Sequence, residues 1–201
     1  MNKLSKVLGS ICVVVIALPA FCANQVVSVH VTLPDEGAWQ AATNKSDGTQ
    51  YIREWLPAGA TFESTDWLVV EQKLRLQKSV SAKDYLAGIM SQAKQACVSV
   101  KFNGPDAYES DGTDSYVGRF MCSQQNGKSY GTYTDQRVIA DGGFVYVTTS
   151  ELRVPPTTVA GTMSFGPDQL ASLAKTIKRQ QQSSALVRAG VKVCLLDTKG
   201  C

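Results

Sequence analysis

From residue 25 to 34 the chain reads QVVSVHVTLP, and apolar Val27, Val29, Val31 and Leu33 alternate with Ser28, His30 and Thr32. A period of two marks a strand with one buried face, and it turns His30 toward solvent. Residues 35–50 are polar and carry Gly37, Asn44, Asp47 and Gly48, a loop composition. Residues 50–57 (QYIREWLP) and 66–77 (DWLVVEQKLRLQ) read as two strands around the turn Pro57-Ala58-Gly59-Ala60. Val70, Leu74 and Leu76 break the alternation in the second strand, the mark of a bulge.

The period then changes. Ser81-Ala82-Lys83-Asp84 has the form of an N-cap with an acid at the third helical position, and it opens a helix to about Cys97. Tyr85, Leu86, Ile89, Met90 and Ala93 fall on one face of that helix. Val98 to Phe102 alternates again. Residues 115–123 (SYVGRFMCS) and 129–139 (SYGTYTDQRVI) flank Gln125-Asn126-Gly127-Lys128, and Asn-Gly between alternating runs is a strong hairpin signal. Asp141-Gly142-Gly143 marks a second hairpin, into a strand over residues 144–149, and Pro155-Pro156 ends that strand. A last helix begins near Asp168 and runs to about Arg188, with Leu170, Leu173, Ala174 and Ile177 as its buried stripe. Gly190 stops it, and residues 191–193 add a short extended tail. The order predicts an α+β fold, a mostly antiparallel sheet covered by helices.

Residues 1–22 do not belong to that fold. Lys3 and Lys6 precede an apolar run from Ile11 to Leu18, and Pro19 breaks it before small residues, the form of a secretory signal peptide. The run is shorter than the roughly 20 residues of a membrane-crossing helix, so no transmembrane span is expected after cleavage. The favoured cut leaves Ala23 as the new N-terminus. Phe21 is too large for the position ahead of a lipidated cysteine, which argues against a lipid anchor. The expected organisation is residues 1–22 as signal peptide and 23–201 as one domain. Residues 1–22 take two lysines and no acid from the 20 basic and 17 acidic groups, leaving 18 against 17. That balance argues against nucleic acid as a partner and against a disordered acidic tail.

An exported chain changes how its cysteines are read. Cys97, Cys122, Cys194 and Cys201 remain after cleavage, an even number that implies two disulfides. Four cysteines allow three pairings. Cys97 at a helix end with Cys122 in a strand, and Cys194 with Cys201 six residues on, is the expected set. No CxxC spacing exists and His30 is the only histidine, so a zinc site is not expected.

Catalytic chemistry finds little support. A nucleophilic triad needs a base, and His30 has no Gly-x-Ser-x-Gly elbow beside it. No phosphate loop, dinucleotide fingerprint or HExxH is present, and no cofactor is expected. Asp106, Glu109, Asp111 and Asp114 form an acidic cluster on a Gly-containing stretch, a candidate calcium site that lacks the EF-hand spacing. The same carboxylates are the candidates for a hydrolase, whose acid pair must meet a separation in space. Trp55 and Trp67 lie on predicted strands and are expected in the core. Trp39, in a polar segment, is a candidate exposed contact residue. Lys175, Lys178, Arg179 and Arg188 of the last helix read as a solvated charged face, with an acidic partner or a membrane surface as the alternative.

Glu54-Trp55-Leu56-Pro57-Ala58-Gly59-Ala60-Thr61, followed by Trp67 and the run to Leu76, resembles a motif of small exported proteins of Gram-negative bacteria with a Mog1/PsbP-like α/β/α sandwich. The helix, the hairpin carrying Cys122 and the strand from Phe144 follow in the same order, and the resemblance covers roughly residues 50–155. Ala60 and Asp66 stand where such proteins often have Glu or Gln, and Asn. The resemblance implies a binding or accessory factor more than an enzyme, and it carries no catalytic residues. The functional expectation is an exported, non-enzymatic protein with a protein partner, in the periplasm or secreted as a virulence-type factor. A periplasmic immunity or inhibitor protein and a secreted hydrolase are the alternatives.

Overall fold

A computed structural model of the chain describes residues 26–108, 112–160 and 170–195. Within them the chain runs β1 (Val26–Val31), β2 (Trp39–Ser46), β3 (Tyr51–Pro57), β4 (Trp67–Arg75), α1 (Ala82–Ala96), β5 (Val100–Ala107), β6 (Asp114–Cys122), β7 (Gly131–Asp141), β8 (Phe144–Val154), α2 (Leu170–Arg188) and β9 (Val191–Leu195). Seven strands form one sheet in the order β2-β3-β4-β8-β7-β6-β5, and β1 pairs with β9 in a separate ribbon. Every pairing is antiparallel.

Side chains alternate between the faces of a strand, and the two faces of the sheet meet different partners. One carries Trp67, Val69, Tyr133 and Leu152 beneath Leu186 and Val187 of α2. The ribbon extends that cover, laying Val26, Val29 and Val191 on Ile139 and Tyr146. The other face carries Val138, Val145 and Val147 beneath Ala82, Leu86 and Met90 of α1. The result is three layers: α1, the sheet, and α2 with the ribbon. β7, next to the central strand β8, is buried from Gly131 to Ile139.

Helix α1 starts where its cap predicts. The Ser81 hydroxyl accepts from the Asp84 backbone N–H at 3.1 Å and donates to the Asp84 carboxylate at 2.7 Å, satisfying an N-terminal donor. Its last turn is tied to the sheet. Cys97 is disulfide-bonded to Cys122, with Cα atoms 5.5 Å apart, as expected. Backbone bonds from Val98 to Gln124 and from Asn126 to Ala96 flank that link. Cys194 is buried and also disulfide-bonded. Its expected partner Cys201, the signal segment 1–22, and Glu109 and Asp111 lie outside the described residues.

Three expectations are corrected. The loop over 35–50 contains β2, an edge strand whose side chains, Trp39 and Thr43 apart, are exposed, so it shows no alternation. β4 carries no bulge: it pairs in unbroken register with β3 and β8. Its alternation fails because Trp67 and Val69 are buried on one face while Leu68, Val70 and Leu74 are half-buried on the other. The stripe on α2 is also misplaced, since Ile177 and Ala174 are exposed while Ser183, Leu186 and Val187 are buried. Among the described residues, no helix is long and apolar enough to cross a membrane.

Candidate functional site

The face of α2 that meets the sheet is polar for most of its length. Thr176, Arg179 and Ser183 recur at intervals of three and four ahead of Leu186, and each finds a polar partner. The buried Ser183 hydroxyl donates to Asp135 Oδ2 at 2.7 Å, and Arg119 Nε donates to Asp135 Oδ1 at 2.7 Å. Burial raises the Asp135 pKa above the ordinary aspartate value, while Arg119, Ser183 and the Arg188 charge oppose that shift. Beside this pair, the fully buried Arg137 donates from Nε to the Ser115 hydroxyl at 2.9 Å and from Nη1 to the Arg188 and Val191 carbonyls. Those carbonyls lie at the end of α2 and the start of β9, so Arg137 fixes the turn between them.

Toward its N-terminal half, α2 presents three cations to two acids. Arg179 Nε donates to Glu36 Oε2 at 2.9 Å and Nη1 to Asp66 Oδ2 at 2.5 Å. Lys178 reaches Glu36 at 3.1 Å and Lys175 reaches Asp66 at 3.5 Å. Partial burial acts to raise the Asp66 carboxyl, but hydrogen bonds and charges from Arg179 and Lys175 prevail and hold it below its usual range. Glu36 is lowered in the same way by Arg179 and Lys178. The basic face of α2, expected to be merely solvated, is thus engaged by the loops before β2 and β4.

A cavity of about 230 Å³ opens against this array, lined in part by Asp66, Arg153, Ser172, Lys175, Thr176 and Arg179. Arg153 comes from the end of β8. Its guanidinium lies over the Tyr130 ring at 4.6 Å, and Nη1 donates to the Thr65 carbonyl at 3.3 Å. Its buried Nε faces the Glu151 carboxylate in an ion pair at 3.6 Å. Arg153 is thus paired with Glu151, and Arg179 and Lys175 with Asp66, so each cation of this lining already faces an acid.

The acidic cluster does not assemble among the described residues. Asp106 sits in β5 opposite Val117, on the α2 face with Arg119 and Asp135. Asp114 is on the other face, where its carboxylate accepts from the Ala82 N–H at the start of α1. The sheet separates these two candidates, and no group of three His, Cys, Asp or Glu in the described chain is placed to hold a metal ion. His30 is exposed on β1, as the alternation predicts, with Nε2 3.1 Å from the Ser28 hydroxyl. Trp39 opens β2 and is half-buried, contrary to the expectation of an exposed contact. Its ring meets Trp67 edge-on at 5.2 Å and its Nε1 donates to the Pro34 carbonyl at 2.8 Å. Trp67 is buried, as expected, and donates to the Ser150 hydroxyl.

Only the α2 side of the cleft is signalled in the sequence, as the charged face of Lys175, Lys178 and Arg179. Asp66 and Glu36 are isolated acids in loops, and only the fold brings them to Arg179. A scan of protein-family models matches none of them to this chain, and no curated protein is similar enough in sequence to serve as a relative.

Proposed function

We propose that the chain is an exported, disulfide-stabilised binding protein that acts by occupying a protein partner rather than by turnover. Residues 1–22 are removed on export, and residues 23–201 work in the periplasm or outside the cell as an accessory factor. The observation that carries this reading is how the charged groups are used. Asp135, Glu71 and Glu36 are tied to arginine, lysine or tyrosine within the fold, whereas the cation-rich cleft borders a half-exposed acid. Fixed cations beside a cavity serve recognition; a carboxylate-based hydrolase would need two carboxyl groups flanking the scissile bond. The Cys97–Cys122 link accords with an oxidising compartment. Three layers with the sheet in the middle accord with the Mog1/PsbP-like sandwich that the Trp55–Trp67 segment resembles.

The test is a titration. The purified, oxidised protein is used as bait in extracts of the exported fraction, and each retained protein is then titrated back by calorimetry. A saturable complex of fixed stoichiometry that leaves both proteins chemically intact is the expected result. Conversion of the retained protein, or of any small molecule, beyond the molar amount of bait would overturn it.

A further inference from the structure

Resting on that reading, we propose that the free edge of β2 is a docking surface for an extended segment of the partner. The segment adds a strand beside β2 and lays a large apolar side chain in the groove over Ile52. The seven-stranded sheet ends at β2 on one side and at β5 on the other, and the two edges differ. In β5, Gly104-Pro105 falls in a break of register between Asn103 and Asp106, and proline has no N–H to offer a new strand. β2 has no proline and a single charged residue, Lys45. The Asp47 N–H donates to the Gln50 carbonyl across the hairpin at 3.1 Å. Opposed residues of an antiparallel pair alternate between bonded and non-bonded. Thr43 and Lys45, opposite Glu54 and Ile52, therefore bond inward to β3, and Asn44 and Ser46 turn N–H and C=O outward. Among the described residues those outward groups meet no partner.

A groove lies beside that edge. Lys45, Ile52 and Gln72 stand opposite one another across β2, β3 and β4, and the row continues to Val147 beneath α1. Helix α1 covers this face at Val147 and leaves it open at Ile52. There a groove of about 480 Å³ is lined in part by Lys45, Ser46, Ile52, Gln72 and Leu74. The side chains of an added strand alternate between faces, so those on this face lean over Lys45 toward Ile52. In strand addition the backbone bonds supply affinity and such pockets supply selectivity. Charge narrows the match. Asp47, the acid of the groove lining, is taken by the Thr49 and Gln50 N–H groups at 2.8 and 2.7 Å. Lys45 stands in no ion pair among the described residues, so an acid two positions from the apolar residue completes the fit.

The experiment selects short random peptides displayed on phage against the full oxidised protein and measures the recovered peptides by fluorescence anisotropy. The expected sequences carry a large apolar residue two positions from an acid. Methylating the peptide's backbone nitrogens in turn is expected to weaken binding at alternate positions only, because alternate N–H groups face β2. Asn44→Pro removes an outward N–H and leaves the β3 ladder whole, so a folded variant is expected to bind about ten-fold more weakly. Asn44→Ala is expected to bind as wild type does. The proposal is overturned if no peptide is enriched, if methylation acts without that alternation, or if a folded Asn44→Pro keeps full affinity. Should Asn44→Pro fail to fold, the methylation series on wild type decides alone. A dimer of the protein that excludes the peptides would overturn the proposal and assign the edge to a second copy. A natural partner held equally by wild type and Asn44→Pro sinks this inference and leaves the binding reading standing. Turnover beyond bait sinks the reading, whatever the peptides do.

Discussion

Removing the Cys97–Cys122 disulfide, as the double variant Cys97→Ala/Cys122→Ala, should leave the fold intact and lower its stability by about 3.5 kcal/mol. The two residues are 25 apart in sequence. In the chain-entropy description, closing a loop of that length removes close to 12 cal/mol/K from the unfolded ensemble, or about 3.5 kcal/mol near room temperature. Native contacts survive the change. Val98 and Asn126 still bond to Gln124 and Ala96 across the same junction, and the Asn126 side chain donates to the Gln95 carbonyl at 2.8 Å. For a chain of this size, each kcal/mol shifts Tm by roughly 2–4 °C, so the expected fall is roughly 7–14 °C. Urea unfolding at matched pH supplies the free energy, and circular dichroism confirms that the variant is folded. Substitution is preferred to reduction, which would also open the Cys194 disulfide. A loss under about 1 kcal/mol would refute the loop-closure reasoning. An unfolded variant would show that the link is needed to form α1 against the sheet.

Glu71 gives a pH test. Burial raises its pKa above the ordinary value despite the Tyr51 hydroxyl and the Arg53 and His30 charges, so the folded chain retains a proton that the unfolded chain has released. Wild-type stability therefore falls as pH rises through that window. Glu71→Gln lacks this fall and should gain on wild type from the acidic side toward neutrality; a constant difference across pH contradicts it. Ser183→Ala takes a charge-assisted donor from buried Asp135 and should cost about 1.5–3 kcal/mol, read as a lower urea midpoint at unchanged slope. Gly131→Ala would place a Cβ 2.5 Å from the Cys122 carbonyl oxygen and 2.6 Å from that of Ser123, both backbone. A loss of roughly 3 kcal/mol or more is expected by denaturation, and a neutral effect would contradict the close strand approach.

Local devices are the readable part of this chain. The Ser81 cap, the apolar face of α1 through Leu86 and Met90, and the turns at Gly127 and Gly142-Gly143 each act over a few residues, and each appears as expected. Pairing between remote segments is not readable in the same way. β1 joins β9 through Val29 and Val193, and nothing in either segment names the other. β2 escapes detection because an exposed edge strand needs no buried face. The α2 stripe misleads for a related reason: Arg179 and Ser183 face inward because Asp66 and Asp135 wait there, and helical periodicity counts only apolar residues. The candidate cleft is built from these long-range pairs, so its residues look like scattered surface charges until the fold assembles them.

The measurement that bears most directly on the account is the intact mass and whereabouts of the mature protein in the cell that makes it. The account predicts an unlipidated chain beginning at Ala23, lighter than its reduced form by the hydrogens of two disulfides, in the periplasm or the medium. A reduced chain retaining residues 1–22 inside the cell would contradict it.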